Sequence, residues 1–317
     1  MLSWFRLLLI AASASFLTAC WDDTDVAPTP PPKNIVQTAQ ADPQFSILVE
    51  AVVAADLAGT LSGTGPFTVF APTNNAFAAL LTELGITKEA LLADKALLTQ
   101  VLTYHVLPAR VLKAAVPAGQ AITTVQGGIF KVDAVGTDLV ITDGRNRTAT
   151  ITATDISASN GVIHVIDKVI LPADKTIVET AAALPDFSIL VEAVQAAGLE
   201  AALSAEGPLT VFAPTNDAFA ALLAELGISK EALLADTALL TQVLTYHVVD
   251  GRVLKAGVPV GAPITTLQGE TFTVDATLAI TDQRMRMANI TATDVLASNG
   301  VIHVIDKVIL PAAPAAQ

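Results

Sequence analysis

The apolar positions change rhythm along the chain. Phe45, Leu48, Val49, Val52 and Val53 fall at i, i+3, i+4, i+7 and i+8, which predicts a helix with one apolar stripe. Gly65-Pro66 then precedes Phe67-Thr68-Val69-Phe70, a run that reads as a short buried strand. Pro72-Thr73 breaks it, and a helix is predicted from Asn74 to Leu81. Thr73 is its N-cap, Leu84-Gly85 ends it, and the capping-box acid is missing because the third helical position is Ala76. Two more helical segments are predicted over Lys88 to Asp94 and Ala96 to Thr103. Beyond Val106 the texture becomes rich in Val, Ile and Thr. Strands are predicted at Ile122–Val125, Ile129–Val132, Leu139–Thr142, Thr148–Ala153 and Gly161–Ile170, with Gly or Asn-Gly between several of them. Helices first and a sheet afterwards define an α+β unit.

This pattern is written twice. Phe45 to Val52 recurs as Phe187 to Val194, Thr68 to Asn74 as Thr210 to Asn216, and Ala96 to Val106 as Ala238 to Val248, all offset by 142 positions. Ala158 to Ala173 recurs as Ala297 to Ala312, offset by 139. The three-residue deletion falls between Asp133 and Ile141, in a predicted strand–turn–strand, where length changes are tolerated. A period this long exceeds the roughly 20–50 residues of solenoid repeats, so each copy is a domain with its own core. The copies are expected at 34–172 and 176–311. Only Ala173, Asp174 and Lys175 connect them, so the two should touch.

The N-terminus has a different character. Leu7 to Leu17 is an apolar run behind Arg6, shorter than the roughly 20 residues of a membrane-spanning helix and suited to the core of a secretory signal. It ends in Leu17-Thr18-Ala19-Cys20, which resembles the processing box of bacterial lipoproteins. The expectation is a lipoprotein signal over residues 1–19 and lipidation of Cys20, the chain's single cysteine; the alternative is an ordinary secretory signal with an incidental cysteine. Residues 20–33 carry Asp22, Asp23, Asp25 and four prolines, and read as an acidic, extended spacer with no apolar face. Acyl chains on Cys20 would hold the protein to a membrane.

Composition narrows the partners. The net charge is −13, with charged residues at 15% against about 25% in typical domains, and hydrophobic residues at 52%, which excludes disorder of the bulk. An acidic chain is a poor nucleic-acid ligand. The acid excess is uneven: the first copy has 8 basic and 11 acidic residues, the second 6 and 15. Both tryptophans, Trp4 and Trp21, precede the repeats. Neither copy therefore offers an indole platform, and weak contact by two modules suits the composition better than a deep aromatic cleft.

Three segments carry a family resemblance. Thr210 to Phe219 (TVFAPTNDAF), Tyr246-His247, and Ile302 to Asp306 (IHVID) resemble the signature segments of fasciclin domains, in order. The first copy matches at Thr68 to Phe77, Tyr104-His105 and Ile163 to Asp167, departing at Asn75 where the second has Asp217. The resemblance covers both copies. It implies two tandem fasciclin-like domains, each a twisted β-sandwich or wedge flanked by helices. It also implies a non-enzymatic role in adhesion or matrix contact, and a Tyr–His pair linked to that role.

The residues also permit a structural account. His164 and His303 lie on predicted strands where alternation sends Asp167 and Asp306 to the opposite face, so neither strand builds a metal cluster, and buried rings bonded to backbone are expected. Asp167 and Asp306 should accept bonds from a turn. Tyr104 and Tyr246, with His105 and His247, either pack in the core or contact a ligand. Asn74, Asn216 and Asp217 suit helix capping or turn closure. Arg145, Arg147, Arg284 and Arg286 lie in matching loops that are either solvated or aimed at an acidic polymer. No catalytic residue, metal site or cofactor motif is found: the chain has no G-x-S-x-G elbow, P-loop or dinucleotide fingerprint. The function expected is that of a membrane-anchored surface adhesion protein, exported and held at Cys20, with a protein or polysaccharide matrix ligand. The alternative is an envelope-facing binding protein for a polysaccharide or small ligand.

Overall fold

The computed structural model describes residues 31–313. The proposed signal (1–19), Cys20 and nearly all of the spacer lie outside the described residues. The first repeat begins with three short helices, α1 (Ile35–Gln40), α2 (Ser46–Ala54) and α3 (Ala58–Ser62). Strand β1 (Phe67–Pro72) follows, then α4 (Asn74–Leu84), α5 (Lys88–Ala93) and α6 (Lys95–Tyr104). The remaining strands are β2 (Val106–Leu107), β3 (Ala121–Thr123), β4 (Ile129–Val135), β5 (Asp138–Thr142), β6 (Thr148–Ala158) and β7 (Gly161–Ile166).

The sheet order is β2-β1-β7-β6-β5-β4-β3. Its centre is the parallel pair β1–β7, in register from Phe67 opposite Gly161 to Pro72 opposite Ile166. Both faces of this pair are covered, which is why β7 is buried throughout and apolar at every position but His164. Val69, Ala71, Ile163 and Val165 face the helices and join Phe45, Leu48, Phe77 and Leu98 in one core. Phe70 and Ile166 face the other way, into a second core with Tyr104, Phe130, Val132 and Ile141. That second core draws on strands from both ends of the sheet, so the sheet curls over itself into a wedge. The edges nearly meet: Val125 N–H donates to Val106 C=O at 2.8 Å.

The second repeat copies this plan. Its helices are α7 (Ile177–Ala182), α8 (Ser188–Ala196), α9 (Glu200–Ser204), α10 (Asn216–Leu226), α11 (Lys230–Ala235) and α12 (Thr237–Tyr246). Its strands are β8 (Leu209–Pro214), β9 (Val248–Asp250), β10 (Pro263–Thr265), β11 (Thr271–Val274), β12 (Ala279–Thr281), β13 (Met287–Ala297) and β14 (Gly300–Ile305), in the same sheet order. The three-residue deletion shortens the β11–β12 hairpin relative to β4–β5, where pairing extends to Val135 opposite Asp138.

Local chemistry explains the ends of these elements. Thr73 accepts from Ala76 N–H as the N-cap of α4, and Gly85, at φ 65°, closes the helix in the left-handed region that glycine enters freely. Two predictions need correction. Val53 is 55% exposed, because the buried stripe of α2 is Leu48, Ala51 and Val52. The strand predicted to Ile170 ends at Ile166; Val169, Ile170 and Leu171 are buried without a place in a strand, so their apolarity reports packing rather than pairing.

The Asn-Gly turn between β6 and β7 does more than reverse the chain. Asn160 accepts from Ile35 N–H at 2.9 Å and donates to the carbonyls of Leu61 and Gly63, both at 2.8 Å, holding the start of α1 and the end of α3. Asn299 repeats this with Ile177, Leu203 and Ala205. Truncation strands three backbone groups, each worth about 1 kcal/mol or more. Asn299→Ala should therefore lower the unfolding free energy in urea by about 3 kcal/mol; a change below about 0.5 kcal/mol would show that the turn does not anchor the helices.

Candidate functional site

The signature residues lie inside the repeats. Tyr104 ends α6, and its fully buried ring packs edge-on against Phe130 at 6.0 Å. Its hydroxyl donates to Ile129 C=O and accepts from Gly144 N–H at 2.8 Å. Tyr246 donates to Thr271 C=O at 2.8 Å. Gln283 replaces Gly144 in the second copy, and its side-chain amide also donates to Thr271 C=O. Burial raises both phenols above their ordinary pKa, so both remain protonated donors.

His105 follows Tyr104 and is buried. Its Nδ1 lies 2.7 Å from Val101 C=O, and its Nε2 lies 3.1 Å from Ile170 N–H. The amide must donate, so Nε2 is the acceptor and Nδ1 carries the proton; the ring is neutral and both nitrogens are used. His247 makes the same bonds to Val243 C=O and Ile309 N–H. Burial lowers both rings from 6.5 to about 4. These histidines tie the last turn of α6 or α12 to the segment that follows β7 or β14.

His164 and His303 form a second cross-link. His164 stacks on Phe70 at 5.4 Å, donates from Nε2 to Val111 C=O at 2.9 Å, and accepts at Nδ1 from Asp155 N–H. His303 makes the equivalent bonds to Val253 and Asp294. Burial lowers the pKa of His303. The buried hydroxyl of Thr68 donates to Ala109 C=O and accepts from Val111 N–H; Thr210 does the same at Gly251 and Val253. Thr and His together pin the loop that follows β2 or β9.

The polar residues beside these motifs also bond within the fold. Asp167 and Asp306 accept from Thr150 N–H and Asn289 N–H, both at 2.7 Å, across the sheet rather than from a turn as the sequence suggested. Asn74 accepts from Ile47 N–H and donates to Pro43 C=O, so it caps α2 rather than its own helix; Asn216 does the same for α8. Asp217 is exposed in the first turn of α10, where the helix dipole favours an acid. Among the described residues no group of three His, Cys, Asp or Glu side chains is placed to hold a metal.

The loop arginines are not simply solvated: each reaches a partner within the fold. Arg147 pairs with buried Asp143 and with Glu83, and donates to Val169 C=O. Asp143 also accepts from the N–H groups of Arg145, Arg147 and Leu171. Arg145 pairs with Asp174, Arg286 with Glu225, and Arg284 donates to Pro311 C=O. These contacts tie the loops to the helices and the connection, although Arg286 Nη1 is buried without a partner among the described residues.

The repeats touch, as their short connection implies, through residues that no sequence motif marked. Lys131 reaches across to buried Asp294 at 2.8 Å. Asn146 exchanges two bonds with the backbone of Leu296, accepting at 2.6 Å and donating at 3.0 Å. Ile129 meets Leu254, Leu296 and Val301 of the second repeat in an apolar plug. Gly144 lies under the connection: a Cβ there would sit 2.2 Å from Ala173 N. The signal was the set of positions where near-identical copies differ. Ile129, Lys131, Gly144 and Asn146 become Thr271, Thr273, Gln283 and Met285, and Leu296 is Ser157 in the first copy. Leu254 is buried at the junction, whereas its counterpart Leu112 is 41% exposed.

Two clefts open there. One of about 510 Å³ is lined by Arg145, Asn146, Asp174, Lys175, Leu184 and Leu296. The other, of about 240 Å³, includes Gly127, Gly128, Arg252 and Ser298. By contrast, the helical core of each repeat encloses only about 30 Å³. No exposed large apolar side chain among the described residues is aromatic.

A curled seven-stranded sheet with helices on its parallel centre, built twice, defines an α+β tandem-domain protein. The sequence model of the Fasciclin domain matches residues 43–172 and 185–311, and the chain belongs to that family. Domains of this family generally serve adhesion or extracellular-matrix interaction. Protein sll1483 of Synechocystis sp. is 52% identical over 139 residues, covering 43% of this chain and 73% of that protein. Transforming growth factor-beta-induced protein ig-h3 of Sus scrofa is 32% identical over 256 residues, 79% of this chain and 35% of the relative. Periostin of Homo sapiens is 29% identical over 285 residues, 88% of this chain and 31% of the relative. The chain thus spans about a third of the length of these two animal relatives. A solved FAS1 domain pair from the insect cell adhesion molecule Fasciclin I is 20% identical, with a TM-score of 0.41, covering 87% of this chain and 95% of that one.

Two outcomes follow from the buried motifs. His105 and His247 are neutral in both folded and unfolded chains above pH 6.5, and between 6.5 and about 4 only the unfolded chain binds their protons. Stability is therefore full above pH 6.5 and falls as the pH drops toward 4. The two rings together should remove on the order of 5 kcal/mol by pH 4.5 in urea titrations, whereas a flat profile from 7 to 4.5 would contradict their burial. Tyr104→Phe strands two backbone groups and should cost about 2 kcal/mol. Tyr246→Phe should cost less, about 1 kcal/mol, because Gln283 still donates to Thr271 C=O. Equal losses in paired thermal melts would refute the difference between the copies.

Proposed function

We propose that this protein is an exported, lipid-anchored surface protein that mediates adhesion or matrix contact without catalysis. The observation that carries this reading is the internal use of the signature side chains. Both tyrosines and all four histidines bond to backbone inside the repeats. Contact with a partner then falls to the outer surfaces and the junction. Membership of the Fasciclin domain family and likeness to ig-h3 and periostin support the adhesive role. None of the helices among the described residues is long and apolar enough to cross a membrane. Attachment through acylated Cys20, followed by the acidic spacer, would present the repeats away from the membrane, in the outer membrane or at the cell surface. A second reading, an envelope-facing binding protein for a polysaccharide or small ligand, draws its support from the two junction clefts.

Metabolic labelling with an alkyne-bearing fatty acid tests the anchor. The expected result is label on the wild-type chain and none on Cys20→Ser; equal labelling, or none on either, would remove lipidation from the proposal. The adhesive role is tested by comparing attachment of expressing and deletion strains to matrix-coated and glycan-coated surfaces. Loss of attachment on deletion is expected, and equal attachment on every surface would contradict it.

A further inference from the structure

The smaller junction cleft holds a cation without a counter-charge. Arg252 makes no hydrogen bond or ion pair among the described residues, and its Nε is buried without an acceptor. The other loop arginines, Arg145, Arg147, Arg284 and Arg286, each reach a carboxylate or a carbonyl. The Nε–H has no accessible surface, whereas the two outer nitrogens are accessible and unpartnered among the described residues, and these are the donors a ligand in the cleft meets. The side chain is also presented on a fixed loop. Thr210 bonds Gly251 C=O and Val253 N–H on either side of Arg252, and His303 Nε2 bonds Val253 C=O. The plan shared by both repeats thus holds the base of this arginine still.

The remaining walls come from elsewhere. Gly127 and Gly128 belong to the first repeat, Ala173 to the connection, and Ser298 to the second repeat. Among the described residues the counterpart arginine, Arg110, is exposed and reaches only Ser157, at 3.5 Å. Among the described residues the cleft forms where the two repeats meet. Its volume of about 240 Å³ is below the 300–1,000 Å³ usual for drug-sized ligands. A planar guanidinium donates two parallel N–H groups to a carboxylate or a phosphate, and with Arg252 the only charged residue in the lining the cleft suits a singly charged acid better than a doubly charged phosphate.

We propose that the paired repeats form a carboxylate-binding site around Arg252, sized for a single acidic sugar unit or a similar small acid. This deepens the second reading above, in which the protein binds a polysaccharide or small ligand; it does not depend on adhesion, which the attachment assay tests separately.

The test is a thermal shift and calorimetric titration of the full chain at constant ionic strength, with galacturonate, galactose and inorganic phosphate as probes. Galacturonate should bind with a dissociation constant of about 1–10 mM, as expected of one ion pair without aromatic stacking, and galactose should not bind. Arg252→Gln should weaken galacturonate at least 10-fold, whereas Arg110→Gln should leave it unchanged. Ser298→Glu leaves Arg252 in place and adds an acid to the cleft wall; it too should lose galacturonate, which guards against a folding defect in Arg252→Gln. Equal binding by wild type and both cleft variants, no binding by wild type, or tighter binding of phosphate than galacturonate would each overturn the proposal.

Discussion

The parallel pairing of β1 with β7 is the constraint on which each repeat depends. It joins strands nearly a hundred residues apart and buries both of their faces, so every other element packs against it or extends it. The helices cover one face through Val69, Ala71, Ile163 and Val165, and the curled remainder of the sheet covers the other through Phe70 and Ile166. A pair buried on both sides has no water to satisfy the polar groups around it. The recurring Thr, Tyr and His side chains meet that need. Thr68 and His164 secure the loop after β2, while Tyr104 and His105 join α6 to Ile129, Gly144 and Ile170. The signature of the family is thus largely a set of polar fastenings between layers.

Much of this was legible in the sequence. Two domains, helices before strands, and the N-cap at Thr73 follow from periodicity and local chemistry. Where the pattern misled, the reason is physical. Val169 to Leu171 are buried without pairing, and burial alone sets their apolarity. The helix α3 is a single short turn containing Gly59, too brief for a periodic stripe. Asn74 was legible as a capping residue but not as the cap of a different helix, because its partner lies 27 positions away. The arginine loops looked solvated because their acid partners, Glu83 and Glu225, are remote in sequence.

Junction residues escaped for the opposite reason. A search for repetition rewards sameness, whereas the contact between the repeats lies where the copies differ. Ile129, Lys131 and Asn146 meet the second repeat and Gly144 lies under the connection, whereas the corresponding positions of that repeat carry Thr271, Thr273, Met285 and Gln283. A head-to-tail contact of this kind joins unlike faces of the two copies. The exposed Leu112 and Ser157 of the first repeat lack the apolar match that Leu254 and Leu296 find in Ile129. Divergence at these positions gives the two repeats unlike faces at the junction.

The central claim is that the recurrent histidines are neutral, buried fastenings rather than contact residues. Nitrogen-15 NMR of the imidazole rings across pH tests it most directly. The account predicts that His105 and His247 show the Nδ1–H tautomer at pH 7 and stay unprotonated until near pH 4, for as long as the chain remains folded. Titration of both rings near 6.5 in the folded protein, with averaged tautomers, would contradict it.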